Sequence, residues 1–196
     1  MATEISIANL ALARLGVTRS ISSFEETTNK ESIICKQFYA QSRDFVLSDH
    51  PWPYLIRYRD LALIEENPNA DWAYSYRYPN QCLRIIRLVD GNKSDTSRIP
   101  YEFGNDDSGT LIFTDQPAAV IRYVHLYTDT TFYPADLVSC IAWRMMADMV
   151  GPLARDPKLM SYGLKMYEIE KSISTARMQN ELQHEPEADP EHIRVR

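Results

Sequence analysis

Glycine is scarce in this chain: six in 196 residues, none in GxGxxG or GxxxxGK(S/T) order. Loops that cradle a phosphate need such glycines so that the backbone can approach it, so neither a dinucleotide nor a P-loop site is predicted. Cysteine is rarer still. Cys35, Cys82 and Cys140 lie far apart and are odd in number, without CxxC or Cys/His zinc spacing. Each has an apolar neighbour, which predicts buried free thiols in a reducing compartment and no metal site. Positive charge is also short: 21 Lys and Arg against 27 Asp and Glu leave a net charge of -6. A protein that grips nucleic acid by neutralising phosphates needs a basic surface. Arg57, Arg59, Arg77, Arg84 and Arg87 fall close together and read better as exposed faces of strands than as such a patch. No apolar run approaches the ~18 residues that span a bilayer. Met1-Ala2-Thr3-Glu4 has neither a basic nor an apolar leader region, so the sequence predicts a soluble protein made in a cytoplasm, with no membrane partner.

What is present is apolar and aromatic: 44% hydrophobic and 11% aromatic residues, enough for one or two compact units with a real core. Tyrosine leads, twelve against six Phe and three Trp. Its ring packs while its hydroxyl hydrogen-bonds, which suits wet interfaces as well as cores.

The hydrophobic period changes twice. From about Thr3 to Ser48 it is helical. Ile5, Ala8, Leu12 and Leu15 recur at helical spacing before Gly16, a left-handed stop. Thr28 with Glu31 resembles a capping box ahead of a long helix carrying Ile34, Phe38, Phe45 and Val46 on one face. That helix should end at Ser48-Asp49, because residues before Pro51 avoid the α region. From Pro51 to Tyr133 the pattern is of strands: "AYSYRYP", "CLRIIRLVD", "RIPYEFG", "TLIFTD" and "AVIRYVHLYTD". Asn67-Pro68-Asn69, Tyr78-Pro79-Asn80, Asp90-Gly91-Asn92 and Asp106-Asp107-Ser108-Gly109 supply turns. In the last run Ile121, Tyr123, His125 and Tyr127 fall on one face, and Val120, Arg122, Val124 and Leu126 on the other. With no helical pattern between the strands, the sheet should be antiparallel. Helix then returns. Pro134 is placed at N1 of a helix with Leu137, Ile141, Met145 and Met149, which Gly151-Pro152 should break. Asp156-Pro157 restarts it as cap and first residue of a helix of roughly 25 residues with Met160, Leu164, Tyr167 and Ile173. Beyond Gln183, "HEPEADPEHIRVR" has no periodic face. The fold class expected is α+β. Residues 1–50 and 134–183 form a helical bundle from both chain ends, 51–133 an inserted antiparallel β domain, and 184–196 an extended tail.

No catalytic constellation emerges. A nucleophile needs a base beside it and an orienting group behind. His50 adjoins Asp49, but sequence neighbours seldom face one another in triad geometry; His125 lies in a strand, and His184 and His192 in the tail. Glu25-Glu26, Glu65-Glu66 and Asp106-Asp107 fall in polar contexts where solvated charge is the default. Met145, Met146 and Met149 read as core filling before an adaptable contact surface. No catalytic residue and no cofactor is expected.

The order of "IANLALARLGV", "SRDFVLSDHPWPYLIRYRDLAL", "WAYSYRYPNQCLRIIRL", "IPYEFG", "LIFTD" and "DTTFYPADLVSCIAWRMMADMVGPLARDP" resembles the tail tubular protein A, or head-to-tail adaptor, family of short-tailed bacteriophages. The likeness runs from about Ile5 to Tyr167. It is most specific at Ser42-Arg43-Asp44, at Asp49-His50-Pro51-Trp52-Pro53 and at Tyr76-Arg77-Tyr78-Pro79-Asn80. The resemblance implies a structural virion protein of the tail, assembled in the bacterial host cytoplasm, and not an enzyme. Its subunits would form a homo-oligomeric ring of about twelve, matching the portal's symmetry. That ring would sit between the portal protein and the tail nozzle protein, with tail fibres as a further contact, and DNA would pass through the lumen without specific binding. The family fold is a helical bundle with an inserted β-rich domain. The alternatives from other classes are a tail-associated cell-wall hydrolase and a DNA-end-binding packaging factor.

On this reading Asp49, His50, Pro51, Trp52 and Pro53 make a structural corner where the long helix hands the chain to the strands. The prolines fix φ and remove donors, while Trp52 buries a large surface. In the tail, Ile193, Arg194, Val195 and Arg196 are the expected partner-binding residues, with Ile193 and Val195 as apolar anchors.

Overall fold

A computed structural model describes residues 2–89 and 98–181. The tail 184–196, with Ile193, Arg194, Val195 and Arg196, lies outside the described residues, as does the Asp90-Gly91-Asn92 turn. Four helices carry the two ends of the described chain. In α1 (Glu4–Arg14), Thr3 and Ser6 cap reciprocally: the Ser6 amide donates to Thr3 Oγ1 at 3.1 Å and the Thr3 amide to Ser6 Oγ at 2.8 Å. The helix stops at Gly16, φ 83°, where the Val17 amide reaches back to the Leu12 carbonyl at 3.0 Å. A side chain would be strained there.

The long helix α2 spans Lys30–Asp49, and its cap differs from the expected Thr28-Glu31 box. Asn29 is the cap, its Oδ1 accepting from the Glu31 amide at 3.1 Å. Asparagine caps at least as well as threonine, and Asn29 is held in place by donating to Glu26 Oε2 at 3.0 Å. Ile34, Cys35, Tyr39, Val46 and Leu47 are buried, whereas Phe45, expected inside, is 40% exposed. It lies beneath the Arg144 guanidinium, 3.8 Å from its ring centroid.

The helix α3 (Ala135–Leu153) begins one residue later than expected, with Pro134 as its cap rather than its first residue. It also outlasts the predicted break. Pro152 sits in the last turn and has no N–H for the Asp148 carbonyl, and the helix ends one residue further on. The helix closes when the Ala154 and Arg155 amides both reach the Val150 carbonyl, at 2.9 and 2.7 Å. Met145, Met146 and Met149 are fully buried. In α4 (Pro157–Glu181) the Asp156 carboxylate accepts from the Lys158 amide at 2.9 Å. The buried line along α4 is Gly163, Tyr167, Ser174 and Met178; Met160 and Ile173, expected inside, are each 43% exposed. At Gly163 α4 lies close against Met146 and Ala147 of α3.

Among the described residues seven strands form two antiparallel sheets and not one. They are β1 (Ile56–Asp60), β2 (Leu63–Glu66), β3 (Tyr74–Arg77), β4 (Cys82–Val89), β5 (Glu102–Asp106), β6 (Gly109–Thr114) and β7 (Val120–His125). The inner sheet is ordered β1-β7-β4 and the outer sheet β2-β3-β6-β5. β1 and β2 lie outside the five predicted runs; their residues are mostly exposed and polar, so they carry little hydrophobic signal. The inner sheet is shared by two cores. Val124 joins the core made by α1 to α4, with Leu83, Ile86 and Leu126 packed against it. Ile121 and Tyr123, on the other face of β7, join Tyr76, Ile85, Leu88 and Ile112 in the core between the sheets.

The α3–α4 contact makes a test. A Cβ at Gly163 would lie 2.7 Å from Met146 Sδ and 3.1 Å from Ala147 Cβ. Helix propensity alone favours alanine there by about 1 kcal/mol, while overpacking costs about 1–3 kcal/mol. Gly163→Ala should therefore lower the melting temperature. A raised melting temperature would mean the two helices separate freely.

Candidate functional site

The corner that follows α2 is a polar site tied to both α4 and β4. Its difficulty begins with charge. Asp49 is the last residue of α2, at the end where backbone carbonyls carry partial negative charge, and the last turn holds no base. Cations arrive from elsewhere. Lys171 Nζ of α4 donates to Asp49 Oδ2 at 2.7 Å, and Tyr167 Oη of the same helix donates to that oxygen at 2.6 Å. Arg84 of β4 donates to the backbone carbonyls of Asp49 and Ser48, at 3.2 and 3.5 Å. Burial alone would raise the Asp49 carboxyl; the hydrogen bonds from Lys171 and Tyr167, with the Lys171 and His50 charges, outweigh it and hold the pKa below the ordinary value.

His50 leaves the helix with extended backbone. Trp52 is 0% exposed, and its indole Nε1 donates back to the Val46 carbonyl at 2.9 Å. The His50 ring meets the Trp52 ring edge-on, 5.2 Å between centroids. Pro53 opens a 3-10 turn, Pro53–Leu55, which leads into β1. Burial, with the charges of Lys171 and Arg84, lowers the His50 pKa against the opposing pull of Asp49. Its Nε2 meets Thr175 Oγ1 at 3.5 Å, and that hydroxyl already donates to the Lys171 carbonyl. No nucleophile is set up here.

Tyr167, Lys171 and Thr175 stand at i, i+4 and i+8 on one face of α4. Sequence reading assigned them no role at the corner, although this polar stripe at helical spacing was their visible signal. A second tie joins α2 to α3: Ser42 Oγ and Arg144 Nε both donate to Asp148 Oδ2, at 2.8 and 3.1 Å. Neighbouring Arg43 donates to Asp44 Oδ1 at 2.7 Å.

The five sequence-close arginines do not form one track. Arg57 Nε donates to Tyr127 Oη at 2.6 Å, Arg77 makes a two-pronged pair with Asp106 at 2.7 Å on each prong, and Arg84 is spent on α2. Tyr76, beside Arg77, donates its hydroxyl to the Gln116 carbonyl at 2.9 Å. His125 sits edge-on to Tyr123 and Tyr127, its pKa lowered by burial and by Arg57 and Arg59. His184 and His192 lie outside the described residues. Glu26 accepts from the Ser22 and Ser23 amides, the Ser22 hydroxyl and Asn29, and its pKa falls to about 2. The three thiols are free; burial pushes Cys35 and Cys140 up to about 12. Among the described residues no group of three or more His, Cys, Asp or Glu is placed to hold a metal. Also among them, no helix is long and apolar enough to cross a membrane.

Beside the corner lies an open cleft of about 550 Å³, walled by Pro51, Pro53 and His50, by Thr175 and Gln179 of α4, and floored by Arg122 of β7. A smaller cleft of about 140 Å³ lies between Arg59 and the Arg77–Asn80 turn. No family model matches the chain, and no curated protein matches it in sequence.

Three substitutions test the corner. Trp52→Ala should cost about 3–5 kcal/mol, and Trp52→Phe less, about 1–3 kcal/mol, by removing the donor to Val46. Both are read from the denaturant midpoint; wild-type midpoints would mean that Trp52 is exposed. Asp49→Asn should cost about 1 kcal/mol, the charge-assisted bonds being partly screened by solvent. Because folding depresses the Asp49 pKa, its contribution is complete above the unfolded value of about 3.9 and is lost as pH falls through the folded one. The stability gap between wild type and Asp49→Asn should thus hold from pH 7 to pH 5 and close in stronger acid. A gap unchanged in strong acid would refute the charge account.

Proposed function

We propose that this chain is the head-to-tail adaptor of a short-tailed bacteriophage, a structural subunit of a ring between portal and tail nozzle through which DNA passes. The observation that carries the reading is where the resembling segments fall. Asp49-His50-Pro51-Trp52-Pro53 is the joint between α2 and β1, tied to α4 by Tyr167 and Lys171 and to β4 by Arg84. Tyr76-Arg77-Tyr78-Pro79-Asn80 is pinned by the Arg77–Asp106 pair and the Tyr76 hydroxyl. Ser42 ties α2 to α3 through Asp148. These stretches hold shape and leave no group poised for chemistry, which suits a virion part that must keep its form.

A closed ring built by head-to-tail contact needs two unlike surfaces on each subunit. Met160, Tyr162, Ile169 and Ile173 are exposed along α4, and Leu63, Ile64 and Phe103 are exposed on the outer sheet. These are two apolar surfaces of different build. The helical layer is the bundle of both chain ends, and residues 51–133 are the inserted β domain. Net charge of -6 denies DNA a continuous cationic track in the lumen. A cell-wall hydrolase would need a carboxyl of raised pKa as its acid. The carboxyls of Glu26, Asp49, Asp106 and Asp129 are all held below their ordinary value.

The test is a mass measurement of the purified chain alone and mixed with portal protein. Monomers alone and a ring on the portal are expected, since the subunit charge opposes closure until portal contacts offset it. No association with portal, or clearing of a peptidoglycan suspension by the pure chain, would overturn the adaptor reading.

A further inference from the structure

The cleft beside the corner has the features of a peptide seat. It opens between the last turns of α4 and a part of the inner sheet's helix-facing side. Arg122 stands on that floor in the central strand β7, with Arg87 opposite it in register. Among the described residues Arg122 has no carboxylate partner, and its Nε is buried without an acceptor. A half-buried guanidinium left unpaired is costly, which marks the place where an anion belongs. The nearest acid at the corner, Asp49, is already engaged by Lys171 and Tyr167. The surrounding walls are apolar and stiff, with Pro51, Pro53 and Ile56 on one side and Met178 on the other.

Gln179 lines this cleft, and the described chain ends two residues later, at Glu181. The sequence that follows, "LQHEPEADPEHIRVR", carries Glu185, Glu187, Asp189 and Glu191 within seven positions. Glu185 is six residues past Gln179, a reach of about 16 Å with the chain helical to Glu181 and extended beyond it, against a cleft that Gln179 and Arg122 both line. We propose that this cleft is the docking site of the chain's own acidic segment, 185–191, with Arg122 pairing its carboxylates and the proline-lined wall packing against Pro186 and Pro190. The proposal concerns the single chain and is independent of the adaptor reading. It leaves Ile193 to Arg196 beyond the docked stretch.

The test is proteolysis of the full-length protein by subtilisin, reading cleavage within residues 183–192 by mass spectrometry. A synthetic peptide of residues 182–196 serves as the unprotected standard. A docked segment is cut only from its released fraction, so wild type should be cut about tenfold more slowly than the peptide, and faster in about 0.5 M salt. Arg122→Gln should remove the protection and Arg122→Lys should restore much of it. Arg59→Gln, in the smaller cleft, should change nothing. Should Arg122→Gln fail to fold, the same reading comes from the fourfold change E185Q, E187Q, D189N and E191Q, which leaves the folded body untouched and should be cut like its own free peptide. Equal rates for wild type and peptide, or protection that survives the Arg122→Gln or the fourfold change, would overturn the proposal. Protection that disappears on dilution would place another copy's segment in the cleft and overturn the assignment to the same chain.

Discussion

A helix that ends on an aspartate must borrow its cations, and much of this molecule is arranged around that loan. At the end of α2 the Asp49 carboxylate adds to the negative end of the helix. Lys171 and Tyr167 come from α4 and Arg84 from β4, so the remedy brings three separate segments to one point. Trp52 then closes the corner from inside, its indole bonded to Val46 one turn back in α2. The direction in which the chain enters β1 follows from these contacts, and with it the placement of the inner sheet against the helices.

The inner sheet is the second constraint. Its strands present Val124, Leu83 and Ile86 to the helices and Ile121, Tyr123, Ile85 and Leu88 to the outer sheet. Two hydrophobic cores therefore share a wall one strand thick, and neither can loosen without exposing a face of β7. Under the proposed function this is a useful build, because a subunit pulled at its helical end and its sheet end carries the load through packed side chains.

The sequence was informative where the pattern is local. The change from helical to strand period, the Gly16 stop, the Asp156-Pro157 start and the antiparallel pairing all follow from nearest-neighbour chemistry, as does the alternation along 119–126, whose two faces point to different cores; beyond the strand Tyr127 leaves its expected face and packs with Leu126 against the helical core. It was less informative where partners decide. Asn29 displaced Thr28 as the cap because Glu26 holds it. Met160 and Ile173 face outward while α4 approaches α3 at Gly163, a residue without hydropathy to announce it. At the corner, Asp49 to Pro53 stood out in the sequence by its prolines and tryptophan. Tyr167, Lys171, Thr175 and Arg84 did not, since they lie 31 or more positions away and reach the corner only through tertiary packing.

The shared wall also sets what kinds of change the chain can survive over generations. Side chains on a strand alternate with a period of two, so adding or removing one residue within β7 exchanges its faces. Arg122 would then turn into the core between the sheets, and Tyr123 would be thrown against the helices. Substitution in β7 spoils one core at a time, while a change of length spoils both together. Drift in this protein should accordingly alter the letters of β7 freely within each face and leave its length alone, with insertions gathering in the turns at either side.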